Sequence, residues 1–95
     1  MKRIAVAAVM ILFALPALAD FQDGVDAYNR GDYATALKEW RPLANKGDAQ
    51  AQVMLGGMYG AGWGVAKDDA EAVRWYRLAA DQGYSVAQYD LGSMY

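Results

Sequence analysis

The 95-residue sequence contains no cysteine and no histidine. Without cysteine the chain can form no disulfide bridge, offers no thiol nucleophile and has no site for a cysteine-linked lipid. Without histidine it lacks the usual base of a nucleophilic triad, and without both it lacks the usual ligands of a zinc site. Its only serines, Ser85 and Ser93, have no candidate base near them in the sequence. We therefore expect a protein that is not an enzyme and that holds no metal or cofactor.

Long apolar runs are scarce as well, and the one that is present lies at the N-terminus, in MKRIAVAAVMILFALPALAD. Two basic residues precede a run of twelve apolar residues from Ile4 to Leu15, and a small-x-small triplet ends at Ala19. Twelve residues are too few to cross a bilayer, which needs about 20. The pattern predicts a signal peptide over residues 1–19 that is cleaved after Ala19, so that the chain is exported and keeps no stable membrane insertion.

The sequence also lacks a cluster of positively charged residues. Once the signal peptide is removed, seven Lys and Arg remain against eleven Asp and Glu, a net charge of −4. Arg74 and Arg77 lie one helical turn apart, but Glu71 accompanies them, which indicates a solvated helix face. Because nucleic-acid binding needs clustered Lys and Arg, we expect no nucleic-acid partner.

What the sequence does contain is an internal repeat with a period of 36 residues. Residues 47–59, GDAQAQVMLGGMY, align with residues 83–95, GYSVAQYDLGSMY, and seven of the 13 positions are identical. The same offset aligns Asp32 with Asp68 and places Trp40 on Tyr76. The chain after the signal peptide therefore consists of about two copies of one unit, as in tandem-repeat proteins.

Apolar residues within each unit follow the spacing of an amphipathic helix. Ala51, Leu55, Met58 and Tyr59 are spaced i, i+4, i+7 and i+8, and no segment alternates with a period of two over a useful length. The spacing predicts an all-α protein with helices over about 22–30, 33–46, 49–59, 69–82 and 85–95.

Helix-ending and helix-starting residues agree with these boundaries. Asp32 and Asp68 stand where an N-cap is expected, and Glu71 follows Asp68 at the spacing of a capping box. Gly47 and Gly83 follow helices at positions where a positive φ would close the last turn.

The segment MYGAGWGVAKDD, residues 58–69, could cradle a phosphate or turn a corner between two helices. A phosphate-binding glycine motif follows a strand, whereas here a helix precedes it, and the Lys-Ser/Thr of a P-loop is missing. We therefore predict a corner, with Val65 and Trp63 packed against the helices. An enzyme or small-ligand binder that uses the Gly60–Asp69 loop is the alternative.

Residues 47–95 closely resemble the SEL-one-like repeat (SLR), a subclass of the tetratricopeptide-type helical repeats, and residues 21–46 resemble the half-repeat that opens bacterial members. The resemblance implies an α-solenoid of antiparallel helix pairs: a half-repeat helix pair over 20–46, a repeat over 47–82, and the first helix of an incomplete repeat over 83–95. The matching positions are Ala51, Gln52, Leu55, Gly56, Tyr59, Gly62, Gly64, Val65, Asp68, Ala72, Trp75, Tyr76, Ala79, Ala80, Gln82, Gly83, Ala87, Gln88, Leu91, Gly92 and Tyr95.

The resemblance also implies a function, that of an adaptor or regulator in the bacterial cell envelope, periplasmic or secreted. Such a protein would hold a protein or peptide partner on the concave face, which the first helix of each pair lines. A solvated face without a partner is the alternative, and the aromatic residues are expected in the core rather than in a stacking platform for sugars or bases. Six positions on these first helices are not expected to pack against other helices, and they are the candidate partner-binding residues: Gln50, Met54, Gly57, Val86, Asp90 and Ser93.

A second alternative concerns the C-terminal end. The sequence stops within a unit, which would leave Leu91, Met94 and Tyr95 without the next helix to cover them. This pattern fits a self-associating structural module, a homo-oligomer formed through that end, or a truncated fragment of a longer repeat protein.

Overall fold

A computed structural model describes residues 21–84, 87 and 88 of the chain, and these residues form helices and no strand. Helix α1 covers residues 21–29, α2 covers Tyr33–Asn45, α3 covers Ala49–Ala61 and α4 covers Asp69–Asp81. Helix α3 packs against both α2 and α4. The predicted all-α architecture is therefore confirmed, and no helix in the described part of the chain is long and apolar enough to cross a membrane.

Several predictions lie outside the described residues. They are the signal peptide over 1–19 with its cleavage after Ala19, the greater part of the fifth helix, the repeat positions Leu91, Gly92 and Tyr95, and the candidate partner-binding residues Val86, Asp90 and Ser93.

Helices α2, α3 and α4 each begin after an aspartate that caps the first turn. The carboxylates of Asp32, Asp48 and Asp68 accept hydrogen bonds from the backbone N–H three positions later, at 3.3, 3.0 and 3.1 Å. Each bond satisfies one of the N–H groups that a helix start leaves unpaired. The caps predicted at Asp32 and Asp68 are confirmed. The cap at Asp48 was missed, although an Asp directly before a helical run is the same signal.

The capping box predicted at Asp68 forms only in half. Glu71 donates its backbone N–H to the Asp68 carboxylate, but its own carboxylate does not return the bond. The N–H of Asp68 instead donates to the carbonyl of Tyr59 at 2.9 Å, and the Glu71 carboxylate accepts two hydrogen bonds from Arg74. The prediction of a reciprocal box was wrong, because the Asp68 N–H and the Glu71 carboxylate each have another partner.

Glycines close the helices as the sequence indicates. Gly47 and Gly83 adopt φ values of +102° and +84°, and each donates its N–H to a carbonyl of the last helical turn. Helix α3 continues two residues beyond its predicted end at Tyr59 and is capped by Gly62, with φ +73°.

The core is made of aromatic side chains resting on glycine and alanine. The indole of Trp40 is fully buried against Gly24 and donates its N–H to the carbonyl of Phe21 at 3.1 Å. The ring of Tyr76 lies on Gly56 in the same way. Because neither glycine has a side chain, each aromatic ring reaches the helix backbone. The buried apolar residues are Ala27, Ala36, Trp40, Ala44, Ala51, Leu55, Met58, Tyr59, Ala72, Trp75, Tyr76, Ala79 and Ala87.

Candidate partner-binding face

The predicted partner-binding residues of α3 lie on its less buried side. Gln50 is exposed, whereas Met54 and Gly57 are half-buried. The residues assigned to packing on the same helix, such as Ala51 and Leu55, are fully buried. Met54 nevertheless packs against the core, so the prediction that it has no packing role was wrong. Partner binding by Gln50, Met54 and Gly57 stays a prediction.

Met54 and Gly57 open into a groove of about 240 Å³. The groove runs along α3 beside the end of α1, and none of the described residues that line it is charged. An apolar groove with few polar groups can accept an apolar side chain of a partner. Its lining residues, which define the groove below, are Tyr28, Val53, Met54, Gly57, Met58, Ala61, Trp63 and Tyr76.

Two adjacent glycines shape the α4 side of the groove. A Cβ atom on Gly56 would lie 2.7 Å from two ring carbons of Tyr76, and a Cβ on Gly57 would lie 3.4 Å from the Tyr76 hydroxyl. The missing side chains let the phenol cross the α3 backbone and reach the groove from α4. Sequence reasoning placed Tyr76 in the core, where it is 9% exposed, but did not predict that its hydroxyl end reaches this face.

An aromatic rim, formed by Tyr28, Tyr33 and Trp63, borders the groove. Trp63 stacks on Tyr33 with ring centroids 5.0 Å apart and an interplanar angle of 18°. Tyr28 meets Tyr33 edge to face at 5.3 Å and lies 5.9 Å from Trp63. Trp63 remains 42% exposed, so one large aromatic side chain borders the groove without being taken into the core.

The glycine-rich segment turns the corner between α3 and α4 and holds Trp63 in place. Gly64, with φ +76°, packs directly against the start of α2: a Cβ there would lie 2.7 to 2.9 Å from backbone atoms of Tyr33 and Ala34. Val65 is partly buried against the core. A helix rather than a strand precedes this segment, which favours the predicted corner over a phosphate cradle.

The two acids that follow this corner have structural partners. Asp68 caps α4, and the Asp69 carboxylate accepts a hydrogen bond from the Lys67 ammonium at 2.7 Å on the surface. Within residues 21–84, 87 and 88, no cluster of carboxylates could hold a metal ion.

Charged residues with side-chain partners lie near the first turns of α4. The Glu71 carboxylate accepts two bonds from Arg74, at 2.9 and 3.1 Å, and these hydrogen bonds hold the pKa of Glu71 below its ordinary value and raise that of Arg74. The Arg74 guanidinium also lies 4.3 Å from the centre of the Trp75 ring. Arg41 donates to the hydroxyl of Tyr59 at 3.0 Å. The pairing of Glu71 with Arg74 agrees with the solvated helix face expected from the sequence.

A buried glutamine joins successive helices. Gln52 is 3% exposed. Its side-chain Nε2–H donates a hydrogen bond of 3.1 Å to the carbonyl of Ala44, near the end of α2. One period later, Gln88 makes the same bond to Ala80 at 3.2 Å. Sequence reasoning matched both glutamines to the repeat without predicting this role. The signal was available, since a polar residue that recurs among packing positions needs a partner.

Helices α1 to α4 follow one another in the described part of the chain, and their contacts recur at the repeat period. These features define a helical-repeat protein of the α-solenoid class. The Sel1 repeat matches residues 49–84 and 85–95. Residues 49–95 belong to the Sel1-repeat family, whose repeats typically mediate protein–protein interaction.

Two curated relatives extend this comparison. Both are named "Exopolysaccharide production negative regulator", one from Rhizobium leguminosarum bv. viciae and one from Rhizobium meliloti (strain 1021). Each is 36% identical to this chain over 72 residues, which is 76% of this chain and 27% of the relative. The chain thus spans about a quarter of the length of these relatives.

Proposed function

We propose that this chain is an interaction module that binds a protein or peptide partner through the face formed by α1, α3 and the aromatic rim. The observation that carries the proposal is the uncharged groove beside Trp63, which is 42% exposed. Exposed Trp and Tyr beside an apolar pocket are enriched where proteins bind one another, because large rings bury much area at a small entropic cost. The module acts by binding and catalyses no reaction.

We further propose that this binding serves regulation in the bacterial cell envelope. The names of the two rhizobial relatives support a regulatory role. The signal-peptide pattern of residues 1–19 supports export to the periplasm or beyond it. A fusion of alkaline phosphatase after residue 95 tests the second point: we expect activity with residues 1–19 present and none when the run from Ile4 to Leu15 is interrupted by two arginines. Equal activity of both fusions would refute export.

Site-specific photocrosslinking in the source bacterium tests the binding face. A photoreactive residue at Gln50, which is exposed on α3, should capture a defined partner. The same residue at Lys38, which is exposed on α2, is the matched control and should not capture it. Adding Met54→Arg should remove the Gln50 product, because a charge would enter the uncharged groove.

The mass of the crosslinked product separates the alternatives. A product of the mass of two copies of this chain would support the self-associating module instead of an adaptor. Equal capture from Gln50 and Lys38, or capture that survives Met54→Arg, would refute the proposed face.

A further inference from the structure

The groove and the aromatic rim form one continuous surface, because Tyr28 and Trp63 belong to both. The chemistry of this surface narrows the class of ligand. The inference rests on the proposed function, since it names the chemical nature of the partner segment that the same face binds.

Each polar group of the rim can donate a hydrogen bond, and the two tyrosine hydroxyls can also accept one. Within the part of the chain that the structure describes, the hydroxyls of Tyr28 and Tyr33 and the indole N–H of Trp63 make no hydrogen bond. Among the described residues that line the groove, none carries a carboxylate, a side-chain amide or a cationic group. A fitting ligand therefore brings hydrogen-bond acceptors and apolar surface, but no charge.

Three kinds of ligand can be compared with this surface. A charged segment would lose hydration in the groove without gaining an opposite charge. A sugar presents many hydroxyl donors, which the groove does not match with carboxylates or amides. A proline-rich segment presents pyrrolidine rings and carbonyl oxygens, and each proline lacks a backbone N–H.

We propose that the groove and rim bind a proline-rich segment of the partner in the polyproline II conformation. Such segments dock into aromatic-lined grooves because they are extended and ordered before binding. The Tyr28 and Trp63 rings lie 5.9 Å apart, close to the advance of two polyproline II residues, about 6 Å. Prolines pack against these two rings, and their carbonyls accept hydrogen bonds from the rim donors.

Titration of the full chain with decaproline tests the proposal, with tryptophan indole N–H signals followed by NMR. The Trp63 signal should shift with saturation, whereas the signals of Trp40 and Trp75, which are 0% and 2% exposed, should stay in place. A Gly-Ser peptide of the same length is the control ligand and should cause no shift.

Variants show whether the rim makes the contact. Tyr28→Leu should weaken decaproline binding about tenfold, the usual effect of truncating an aromatic at the centre of an interface. Tyr28→Phe keeps the ring and should weaken it less. Leu78→Ala, at a 39% exposed site on α4 outside the groove, should leave the affinity unchanged. Circular dichroism of each variant confirms that it is folded.

Three results would overturn the proposal: no Trp63 shift with decaproline, an equal shift with the Gly-Ser peptide, or unchanged affinity in Tyr28→Leu. A Trp63 shift with maltohexaose but not with decaproline would make the rim a sugar platform and would also refute it. If decaproline does not bind but the photoreactive residue at position 50 still captures a partner, only the proposal of a proline-rich ligand is refuted. If both experiments fail, the proposed function is refuted with it.

Discussion

The side chains of Gln52 and Gln82 are joined by a hydrogen bond of 2.9 Å, although 30 positions separate them in the sequence. Gln82 donates and Gln52 accepts, while the Gln52 amide nitrogen donates to the carbonyl of Ala44. One side chain on α3 thus connects the end of α2 with the end of α4. Gln88 repeats the bond to the preceding helix by donating to the carbonyl of Ala80, so the bond from Gln52 to Ala44 is a contact of the repeat itself rather than of one site.

Replacing Gln52 by leucine should lower the free energy of unfolding by about 1–3 kcal/mol, the usual cost of leaving a buried polar group without a partner. Leucine keeps most of the volume, but it leaves the Ala44 carbonyl without this donor and Gln82 without this acceptor. Urea unfolding followed by circular dichroism measures the change. Gln88→Leu is the control and should cost less, because Gln88 is exposed. If both variants lost the same free energy of unfolding, the burial of Gln52 would not explain its contribution to stability.

Gly56→Ala should destabilise the protein by roughly 1–3 kcal/mol, as overpacking of a filled core does. The added methyl would lie 2.7 Å from the ring of Tyr76, so the ring or the helix must move. Gly60→Ala on the same helix is the matched control: its Cβ would lie 3.7 Å from Ala72, an ordinary contact. Since alanine favours a helix over glycine by about 0.5–1 kcal/mol, that variant should be neutral or more stable. Equal stabilities of the two variants in urea unfolding would show that Tyr76 is not tightly packed on Gly56.

Gly64→Ala should lower stability more than Gly31→Ala, although both positions have a positive φ, +76° and +81°. Both variants carry the strain of a left-handed residue, about 1–2 kcal/mol. Only the Cβ at Gly64 would also meet the backbone of Tyr33, within 3 Å, whereas nothing lies within 4 Å at Gly31. The clash should separate Trp63 from Tyr33 and shift the tryptophan fluorescence to the red. A larger loss of stability in Gly31→Ala would show that the corner does not pack on α2.

The pair of Glu71 and Arg74 should give stability a pH dependence in the acidic range. The hydrogen bonds from Arg74 hold the pKa of Glu71 below its ordinary value of 4.5. A carboxylate with a lowered pKa stabilises the fold at pH values above its unfolded-state pKa, and this contribution is lost as the pH falls through the folded-state pKa. The effect should be at most a few tenths of a kcal/mol, because the pair is largely exposed and screened by solvent.

Urea unfolding of Glu71→Gln between pH 3 and 7 measures this contribution. The stability of the variant should fall less than that of the parent chain as the pH drops from about 4.5, the ordinary value of this carboxyl. Glu39→Gln is the control, since Glu39 makes no ion pair within the described residues, and it should follow the parent curve. Parallel curves for the parent and Glu71→Gln would show that the pair does not contribute.

Local features of the fold were predictable because their causes lie within a few residues of the chain. The side-chain spacing of Ala51 and Leu55 fixed one buried helix face. The carboxylate of Asp32 could reach the N–H groups directly after it, and Gly47 could adopt the positive φ that ends a helix. The 36-residue period then indicated that such helices recur, and the resemblance to the SEL-one-like repeat implied that they stack as a solenoid.

The tertiary structure decided the features that depend on residues far apart in the chain. The sequence by itself determined the helices, their caps, the repeat and which side of α3 packs. Folding decided that Gln52 bonds to Gln82, that Glu71 turns to Arg74 instead of completing a capping box, and that Trp63 stacks on Tyr33 at the border of a groove. The physical reason is that a hydrogen bond or ring contact depends on the distance between its two groups, and for distant residues packing alone sets that distance.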